Sequence, residues 1–270
     1  MCAFDLQAIE AEIAGTEFAG RILHLPLVGS TNVLALEAAQ AGARSGVWVA
    51  DEQTAGRGRG GHGWHSVAGD GLYVSALTSP PIPLTMANWL PLATGLAAQS
   101  AIAAVTGQHA DIRWPNDLLL NGRKCGGILV ETASVAAKQD EPEMLRYAVI
   151  GVGINLNHTS FPAELESLAT SLRREGGNVV SRDELLAALL RSLDGEIRLL
   201  IQQHRGTLPG SGLLERFASA SSWVRGKRVH VGEAGGYTGV TAGLDARGFL
   251  QVADDNGALH TVLSGSVREQ

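Results

Sequence analysis

At residues 51–64 the chain runs Asp51-Glu-Gln-Thr-Ala-Gly-Arg-Gly-Arg-Gly-Gly-His-Gly-Trp64, with five glycines, two arginines and a closing tryptophan. Glycine allows the backbone to approach a ligand closely and to adopt positive φ. Arginine adds a planar, permanently charged fork that suits phosphate or carboxylate oxygens. The segment therefore predicts an anion-binding loop, although a flexible surface loop has a similar composition.

The surroundings of this segment argue against dinucleotide binding. Gly56, Gly58 and Gly61 have the glycine spacing of the dinucleotide fingerprint, but that fingerprint must open a helix. Residues 62–71 are instead rich in glycine and polar side chains, and the apolar residues 72–78 that follow predict a strand. The sequence also lacks the G-x-x-x-x-G-K-[ST] phosphate-binding loop. The segment is thus predicted to connect two strands, because the apolar run before it also has the character of a strand.

A β-hairpin is predicted further along the chain. Asn121-Gly122 separates two apolar runs, and this dipeptide favours the tight turn of a two-residue hairpin. The paired strands are expected at residues 118–120 and 123–131. Lys124 follows the turn, and Gly126-Gly127 leave a patch of strand without side chains, against which a ligand could lie. A lysine that simply reaches solvent is the alternative interpretation.

Three further patterns complete the outline. Ser30 and Thr31 stand between a predicted strand and an alanine- and leucine-rich helix, where a hydroxyl can cap the helix or face a polar ligand. Residues 147–156 form an apolar strand that is expected to pair with the hairpin, and residues 159–177 are expected to be helical. From residue 227 short strands alternate with turns, which predicts a small β-barrel that leans on the rest of the chain.

Composition and charge narrow the class of protein. The chain has 270 residues, of which 45% are hydrophobic and 18% charged, as in ordinary globular proteins. Its net charge of −6 argues against nucleic acid or an anionic membrane as a partner. We find no signal peptide and no apolar run approaching the ~18 residues that span a bilayer. Because Cys2 and Cys125 have no paired spacing, a reducing, cytoplasmic location is expected.

Common catalytic motifs are missing from the sequence. It has no G-x-S-x-G nucleophile elbow, no H-E-x-x-H pair and no cysteine–histidine cluster with zinc spacing. His62 and His65 lack further metal ligands nearby, and Cys125 is expected to be a packed strand residue. The remaining arginines, lysine and tryptophans suit attack by a substrate's own carboxylate on a nucleotide α-phosphate. Such a reaction needs positioning and charge neutralisation more than it needs a protein nucleophile.

Six segments occur in the order and spacing of a known family. They are Gly29-Ser-Thr-Asn32, Gln53-Thr-Ala-Gly-Arg-Gly-Arg59 with Trp64, Gly71-Leu-Tyr73, Arg113-Trp-Pro-Asn-Asp117, Asn121-Gly-Arg-Lys124 with Gly127-Ile-Leu-Val-Glu131, and Gly151-Val-Gly-Ile-Asn155. Over about residues 20–270 the sequence resembles the biotin protein ligases. We therefore expect an α+β fold, in which a mixed, mostly antiparallel β-sheet flanked by helices forms a catalytic domain at residues 1–222. The small C-terminal β-barrel is expected at residues 223–270.

The resemblance implies two half-reactions and a set of site residues. Biotin and Mg-ATP would form biotinyl-5′-adenylate, and the biotinyl group would then move to a lysine of a biotin carboxyl carrier protein domain. The residues implied for biotin are Ser30, Thr31, Asn32, Gln53, Arg57, Gly58, Arg59, Lys124 and Gly127. Those implied for ATP are Arg59, His62, Trp64, Asn116, Lys124 and Asn155. Catalysis is assigned to Lys124, Arg59 and Asp117, with Asp117 near the acceptor lysine, and no protein ligand for a metal is implied.

Two departures and two alternatives accompany this resemblance. Fewer than thirty residues precede Ser30, so the winged helix-turn-helix of regulatory family members, and with it DNA binding, is not expected. Position 62, usually basic in the family, is histidine, whose charge titrates near pH ~6.5. A lipoate–protein ligase and a non-catalytic ligand-binding regulator are the alternative functions. A homodimer through sheet edges is compatible with the family, and residues 55–64 are expected to order over the adenylate.

Overall fold

A seven-stranded mixed sheet lies at the centre of the computed structural model, which describes residues 4–135, 142–233, 235–264 and 267–270. Its strands are β1 (Ile22–Val28), β2 (Gly46–Gln53), β3 (Gly71–Thr78), β4 (Asp111–Arg113), β5 (Asp117–Leu120), β6 (Arg123–Val135) and β7 (Met144–Asn155). The spatial order is β1-β2-β3-β7-β6-β5-β4. Only the β1–β2 pair among these is parallel, which confirms the mixed, mostly antiparallel sheet.

Helices cover both faces of this sheet. They are α1 (Leu6–Glu12), α2 (Thr31–Gln40), α3 (Trp89–Thr106), α4 (Leu172–Gly176), α5 (Arg182–His204) and α6 (Leu213–Ala220). Side chains alternate between faces along each strand. Val74 and Ala76 of β3 accordingly join the large core with α3 and α5, whereas Leu77 packs with Ala35 and Ala39 of α2. The helix that carries Thr31 and Asn32 is thereby fixed against the sheet.

Helix α3 differs from one expectation drawn from the sequence. Its 18 residues have a mean hydropathy of 1.2, so by length and composition it is apolar enough to cross a membrane. In the fold, 56% of this helix is buried, and it packs between the sheet and α5. Burial of this kind is typical of the core helix of a globular protein, which is apolar because nearly all of its faces meet other side chains.

The predicted hairpin is present, and its register places the glycines. Strands β5 and β6 pair around Asn121-Gly122, both with positive φ, as this turn requires. Strand β7 pairs with β6 as expected, and Gly127 lies directly opposite Gly153. Since the pairing slips between Leu118 and Leu119, the hairpin carries a bulge near its turn.

The region of residues 159–177 is less helical than expected. Turns occupy most of it, and the helix α4 covers only Leu172–Gly176. This helix begins at Ser171, whose hydroxyl accepts a hydrogen bond from the Arg174 amide at 3.1 Å. Helix α5 has a side-chain cap as well, because Ser181 accepts a hydrogen bond from the Glu184 amide at 3.3 Å.

A second, five-stranded antiparallel sheet forms the C-terminal part. Its strands are β8 (Arg225–Val231), β9 (Tyr237–Leu244), β10 (Leu250–Asp254), β11 (Leu259–Val262) and β12 (Val267–Glu269). The order is β11-β10-β9-β8-β12, and within the described residues β11 and β12 do not pair, so the expected barrel is observed as an antiparallel sheet. Its buried side chains belong to the same core as those of the first sheet. The domain boundary between residues 222 and 223 remains a prediction.

Candidate active site

The floor of the site is a strip of strand without side chains. The strip is formed by three glycines on one face of the sheet. Gly127 of β6 lies directly opposite Gly153 of β7, and Gly151 is two residues before Gly153, so it faces the same side. The indole of Trp64 lies on this strip. A Cβ atom added at Gly153 would come within 2.5 Å of the indole, and one added at Gly127 within 3.0 Å. We call these three residues the glycine floor; only glycine permits so close an approach.

One end of the floor is lined by polar side chains from α2 and its neighbours. The Thr31 amide donates to Gln53 Oε1 at 2.9 Å, and the Ser75 hydroxyl donates to Asn32 Oδ1 at 2.5 Å. Gly151 accommodates the Asn32 amide, which a Cβ atom there would overlap. Ser30 is the N-cap residue of α2, but its buried hydroxyl makes no capping bond and has no hydrogen-bond partner among the described residues. An unpartnered buried hydroxyl is costly, so this end of the site is built to receive a polar group.

Residues 55–64, which we call the arginine loop, cover the floor. The loop is bonded to itself: the Gly58 amide donates to the His62 carbonyl at 2.7 Å, and the Trp64 amide to the Gly56 carbonyl at 2.9 Å. Gly60 has a φ of 68°, so the turn at the loop tip depends on glycine. The loop contains no α-helix and leads into strand β3, which confirms the prediction that its glycines do not open a helix.

The two arginines of this loop have different surroundings. Arg57 forms a bidentate ion pair with Glu131, with nitrogen–oxygen distances of 3.1 and 3.0 Å. Arg59 is half-buried, and its guanidinium makes no hydrogen bond or ion pair with any residue that the structure describes. Burial lowers the pKa of Arg59, although the negative charges of Asp117 and Glu233 oppose the shift. Arg59 is therefore a partly desolvated cation without a counter-ion in contact, as expected of a group that binds an anion.

Lys124 stands at the other side of the floor within a small ionic cluster. Its Nζ lies 2.5 Å from Asp117 Oδ1, while Arg113 Nη2 lies 2.6 Å from Asp117 Oδ2. Burial alone would raise the pKa of Asp117, but Lys124 and Arg113 outweigh it and hold the pKa below its ordinary value. Lys124 Nζ is also 5.4 Å from the centre of the Trp64 ring. The cluster holds the Lys124 side chain beside the floor, where its Nζ would lie 3.4 Å from a Cβ atom added at Gly127.

Most of the predicted site residues line one narrow cavity of about 40 Å³. These residues are Ser30, Thr31, Asn32, Gln53, Arg57, Gly58, Arg59, Trp64, Asn116, Lys124 and Gly127. Small-molecule sites usually enclose about 300–1,000 Å³, so the loop and the indole fill most of this one. A cavity of about 490 Å³ adjoins it, shares Trp64 and Lys124 as a common wall, and is lined by Asn155.

Two predicted residues lie apart from these cavities. His62 is exposed at the loop tip and lines neither of them. Asp117 lines neither as well, but it contacts Lys124 directly. Asn155 is buried, and its amide donates to the Thr170 carbonyl at 3.0 Å, so it supports the segment that walls the larger cavity.

Several residues of the site had no role in the sequence-based prediction. Glu131 ends a motif segment, and its alternation with Gly127 along β6 could have placed it on the same face. Arg113 begins another segment, but its contact with Asp117 depends on the hairpin register. His158 is fully buried and stacks on Phe161 at 5.1 Å, and burial lowers its pKa. Nothing in the local sequence indicates that this stack stands beside the larger cavity.

The geometry defines the class of ligand. A polar end, a flat floor and two cations follow one another along the cavity, and a roomier compartment with an aromatic wall adjoins the cations. This order suits a molecule with a polar head, a flat ring and a carboxylate that meets a second, phosphorylated substrate. The fold is that of an α+β protein, and the order of these features favours a site at which a carboxylic acid meets a phosphate ester.

Family models match both parts of the chain. Residues 26–155 match the Biotin/lipoate A/B protein ligase family, and residues 225–268 match the Biotin protein ligase C terminal domain. A Biotin--[acetyl-CoA-carboxylase] ligase of Mycobacterium tuberculosis is 35% identical over 247 residues, which is 88% of this chain and 85% of the relative. The Bifunctional ligase/repressor BirA of Bacillus spizizenii is 34% identical over 247 residues, which is 90% of this chain and 72% of the relative.

Solved structures agree with the sequence comparisons. The biotin protein ligase from Aquifex aeolicus in complex with biotin and ATP superposes with a TM-score of 0.74 and 26% identity, covering 93% of this chain and 100% of that one. The chain belongs to the biotin protein ligase family.

Proposed function

We propose that this protein is a biotin–protein ligase that joins biotin to a lysine of a biotin carboxyl carrier protein domain at the expense of ATP. The observation that carries the proposal is the alignment of the unpartnered Ser30 hydroxyl, the glycine floor and the cations Arg59 and Lys124 along one cavity. Biotin has the matching order of groups, with a polar ureido head, a fused ring system and a carboxylate.

The polar end accounts for recognition of the ureido head. A ureido group presents one carbonyl acceptor and two N–H donors. The free Ser30 hydroxyl would donate to the carbonyl, and oxygen atoms of Thr31 or Gln53 would accept from the N–H groups. The fused rings would then lie on the glycine floor, which requires the Trp64 indole to swing off the floor, because the cavity as it stands is too small.

The cations account for the first reaction step. An oxygen of the biotin carboxylate attacks the α-phosphorus of Mg-ATP, and the bond from this phosphorus to the pyrophosphate oxygen breaks. Arg59 and Lys124 would neutralise the charge that gathers on the α-phosphate, an effect worth roughly 3–4 kcal/mol for one well-placed donor. The Mg²⁺ ion arrives with ATP as part of the substrate.

The second step transfers the biotinyl group. The acceptor lysine, as the neutral amine, attacks the carbonyl carbon of the mixed anhydride; a carbon–nitrogen bond forms, the carbon–oxygen bond breaks and AMP leaves. Asp117, ionised beside Lys124, would orient the incoming lysine. The larger cavity would hold the adenosine, with Trp64 and the segment supported by Asn155 around the base. Closure of the arginine loop would shield the anhydride from water.

The other assignments rest on the family. Contact of His62 with the triphosphate would require the exposed loop tip to fold inward. A cytoplasmic location and a carboxylase carrier domain as partner fit this activity, and a homodimer through sheet edges is the assembly to examine. The biotin protein ligase from Aquifex aeolicus was solved in complex with biotin and ATP, which supports biotin and ATP as the substrates proposed for this chain.

Pyrophosphate release and carrier labelling test the proposal directly. Purified protein with biotin and Mg-ATP should release pyrophosphate and attach biotin to a carrier domain, and omission of biotin or chelation of Mg²⁺ should stop both. Excess free lipoate should not compete, whereas effective competition would favour a lipoate–protein ligase. If neither pyrophosphate release nor labelling occurs with biotin or lipoate, the proposed activity is wrong.

A further inference from the structure

The arginine loop has few attachments to the rest of the protein. Its hydrogen bonds from Gly58 to His62 and from Trp64 to Gly56 lie within the loop itself. Apart from the indole on the glycine floor, the contact that ties the loop tip to the sheet is the ion pair between Arg57 and Glu131. The Ala55 amide at the start of the loop donates to the Gly29 carbonyl at 2.8 Å. Beyond this attachment, the loop is held over the floor by the packing of the indole and by the charge of the ion pair.

Glu131 is a fixed anchor for this pair. It belongs to β6, one of the central strands, and its side chain is 25% exposed. Its Oε2 also accepts a hydrogen bond from Asn32 Nδ2 at 3.0 Å, and Asn32 is held in turn by Ser75. Arg57 is 43% exposed and is carried by a glycine-rich segment. The carboxylate is thus the rigid partner and the arginine the movable one.

The geometry of the pair supports a mechanical role. Two parallel nitrogen–oxygen contacts of 3.1 and 3.0 Å fix the orientation of the guanidinium as well as its distance. The same Glu131 oxygen serves both Arg57 and Asn32, so the loop is joined to the polar end that would receive the ureido head. A loop fastened there would block the exit of any ligand lying on the glycine floor.

We propose that Glu131 is a positioning residue that fastens the arginine loop through Arg57 and so sets the rate at which activated biotin escapes from the site. The proposal rests on the proposed function for its ligand, whereas the fastening itself is carried by the ion pair between Arg57 and Glu131. Because the pair is partly exposed, it opens reversibly, which allows biotin in and out on the time scale of loop motion.

The contribution of the ion pair is measured with the variants Glu131→Gln and Arg57→Gln and with the double variant that combines them. The glutamine oxygen at position 131 can still accept from Asn32, so this change removes the charge and keeps the hydrogen bond. Each single variant should release biotinyl-adenylate about five-fold faster than the unmodified protein, equivalent to about 1 kcal/mol at 1.4 kcal/mol per factor of ten. The double variant should release it no faster than either single variant, because all three lack the same interaction.

A second measurement needs no ligand. Trypsin should cut after Arg59 about five-fold faster in the ligand-free Glu131→Gln variant, because the loop opens more often. The combined Arg57→Glu and Glu131→Arg variant should restore slow cutting, whereas either of these two changes alone should not. Thermal unfolding of each variant shows whether the fold has been kept.

Glu196→Gln provides the matched control. Arg216 and Glu196 form another bidentate pair, with distances of 2.6 and 2.7 Å, away from the site on α6 and α5. Its loss should change neither adenylate release nor cutting after Arg59. Unchanged release and cutting in Glu131→Gln, or additive effects in the double variant, would overturn the proposal. If the unmodified protein makes no adenylate, the proposed function is wrong, and the trypsin comparison still decides whether the pair fastens the loop.

Discussion

The floor and the cover of the site are built in opposite ways. The glycine floor consists of Gly127, Gly151 and Gly153 on two central strands that pair residue by residue along most of their length. The arginine loop above it is irregular and is bonded mainly to itself. It is attached at its start by the bond from Ala55 to Gly29 and over the floor by the ion pair of Arg57 and the Trp64 indole. Both contain glycine for close approach, but the floor is fixed by neighbouring strands and the loop is not.

This difference assigns different tasks to the cations. Lys124 stands on the rigid side, where its Nζ lies 2.5 Å from Asp117 Oδ1. Arg59 stands on the movable side and has no partner in contact among the described residues. A pre-oriented cation acts on the reacting atoms without reorganisation, whereas a cation on a loop can arrive with closure. The site therefore combines a fixed charge with a mobile one.

Removal of the fixed charge should have the largest effect. Lys124→Ala should lower the rate of adenylate formation about 10²–10³-fold, because one preorganised donor at the developing charge is lost. Asp117 keeps Arg113 as its partner, so the fold should remain intact. Pyrophosphate release and thermal unfolding measure the two effects. A variant that retains near-normal activity would show that Lys124 has no part in the first step.

A side chain on the floor should have a smaller but measurable effect. In Gly153→Ala the new Cβ atom would lie 2.5 Å from the Trp64 indole, so the indole must move off the strip. We expect a loss of about 1–3 kcal/mol in the free energy of unfolding and a higher KM for biotin.

Gly195→Ala is the control for this change. Gly195 lies in α5 with no atom within 4 Å of an added Cβ, so alanine should stabilise the helix by about 0.5–1 kcal/mol. If Gly153→Ala is equally harmless, the close approach of the indole to the floor does not occur in solution.

The smallest expected effect concerns the pH dependence of the fixed cluster. The pKa of Asp117 is lowered from 3.8, so its carboxylate stabilises the folded state above this pH. That stabilisation is lost as the pH falls through the lower folded value. Asp117→Asn should therefore cost about 1 kcal/mol at pH ~6, and the difference from the unmodified protein should shrink below pH 3.8.

Denaturant unfolding of both proteins, followed from pH ~6 to well below pH 3.8, measures the change. A difference that is independent of pH would mean that the carboxylate charge does not stabilise the cluster.

Local patterns predicted much of the sheet. Asn121-Gly122 predicted the hairpin because both residues tolerate positive φ, and both have it. The absence of a helical pattern after Gly61 correctly excluded dinucleotide binding. Residues 159–177 were predicted to be more helical than they are, because the turns there are set by contacts with distant segments, such as the bond from Lys124 to the Leu168 carbonyl at 2.9 Å. Helix α3 is longer and more apolar than the sequence patterns indicated, because its apolar side chains pack inside the core.

The sequence was enough to indicate the family, the hairpin and the kinds of side chain at the site, because short motifs and turn preferences act over a few residues. Tertiary structure decided which of those groups are paired. The register of β6 and β7 brings Gly127 opposite Gly153, and the fold brings Glu131 to both Arg57 and Asn32, residues 74 and 99 positions away. Only long-range packing selects such contacts. They leave Arg57 paired with Glu131, whereas the Arg59 guanidinium has no partner in contact within the part of the chain that the structure describes.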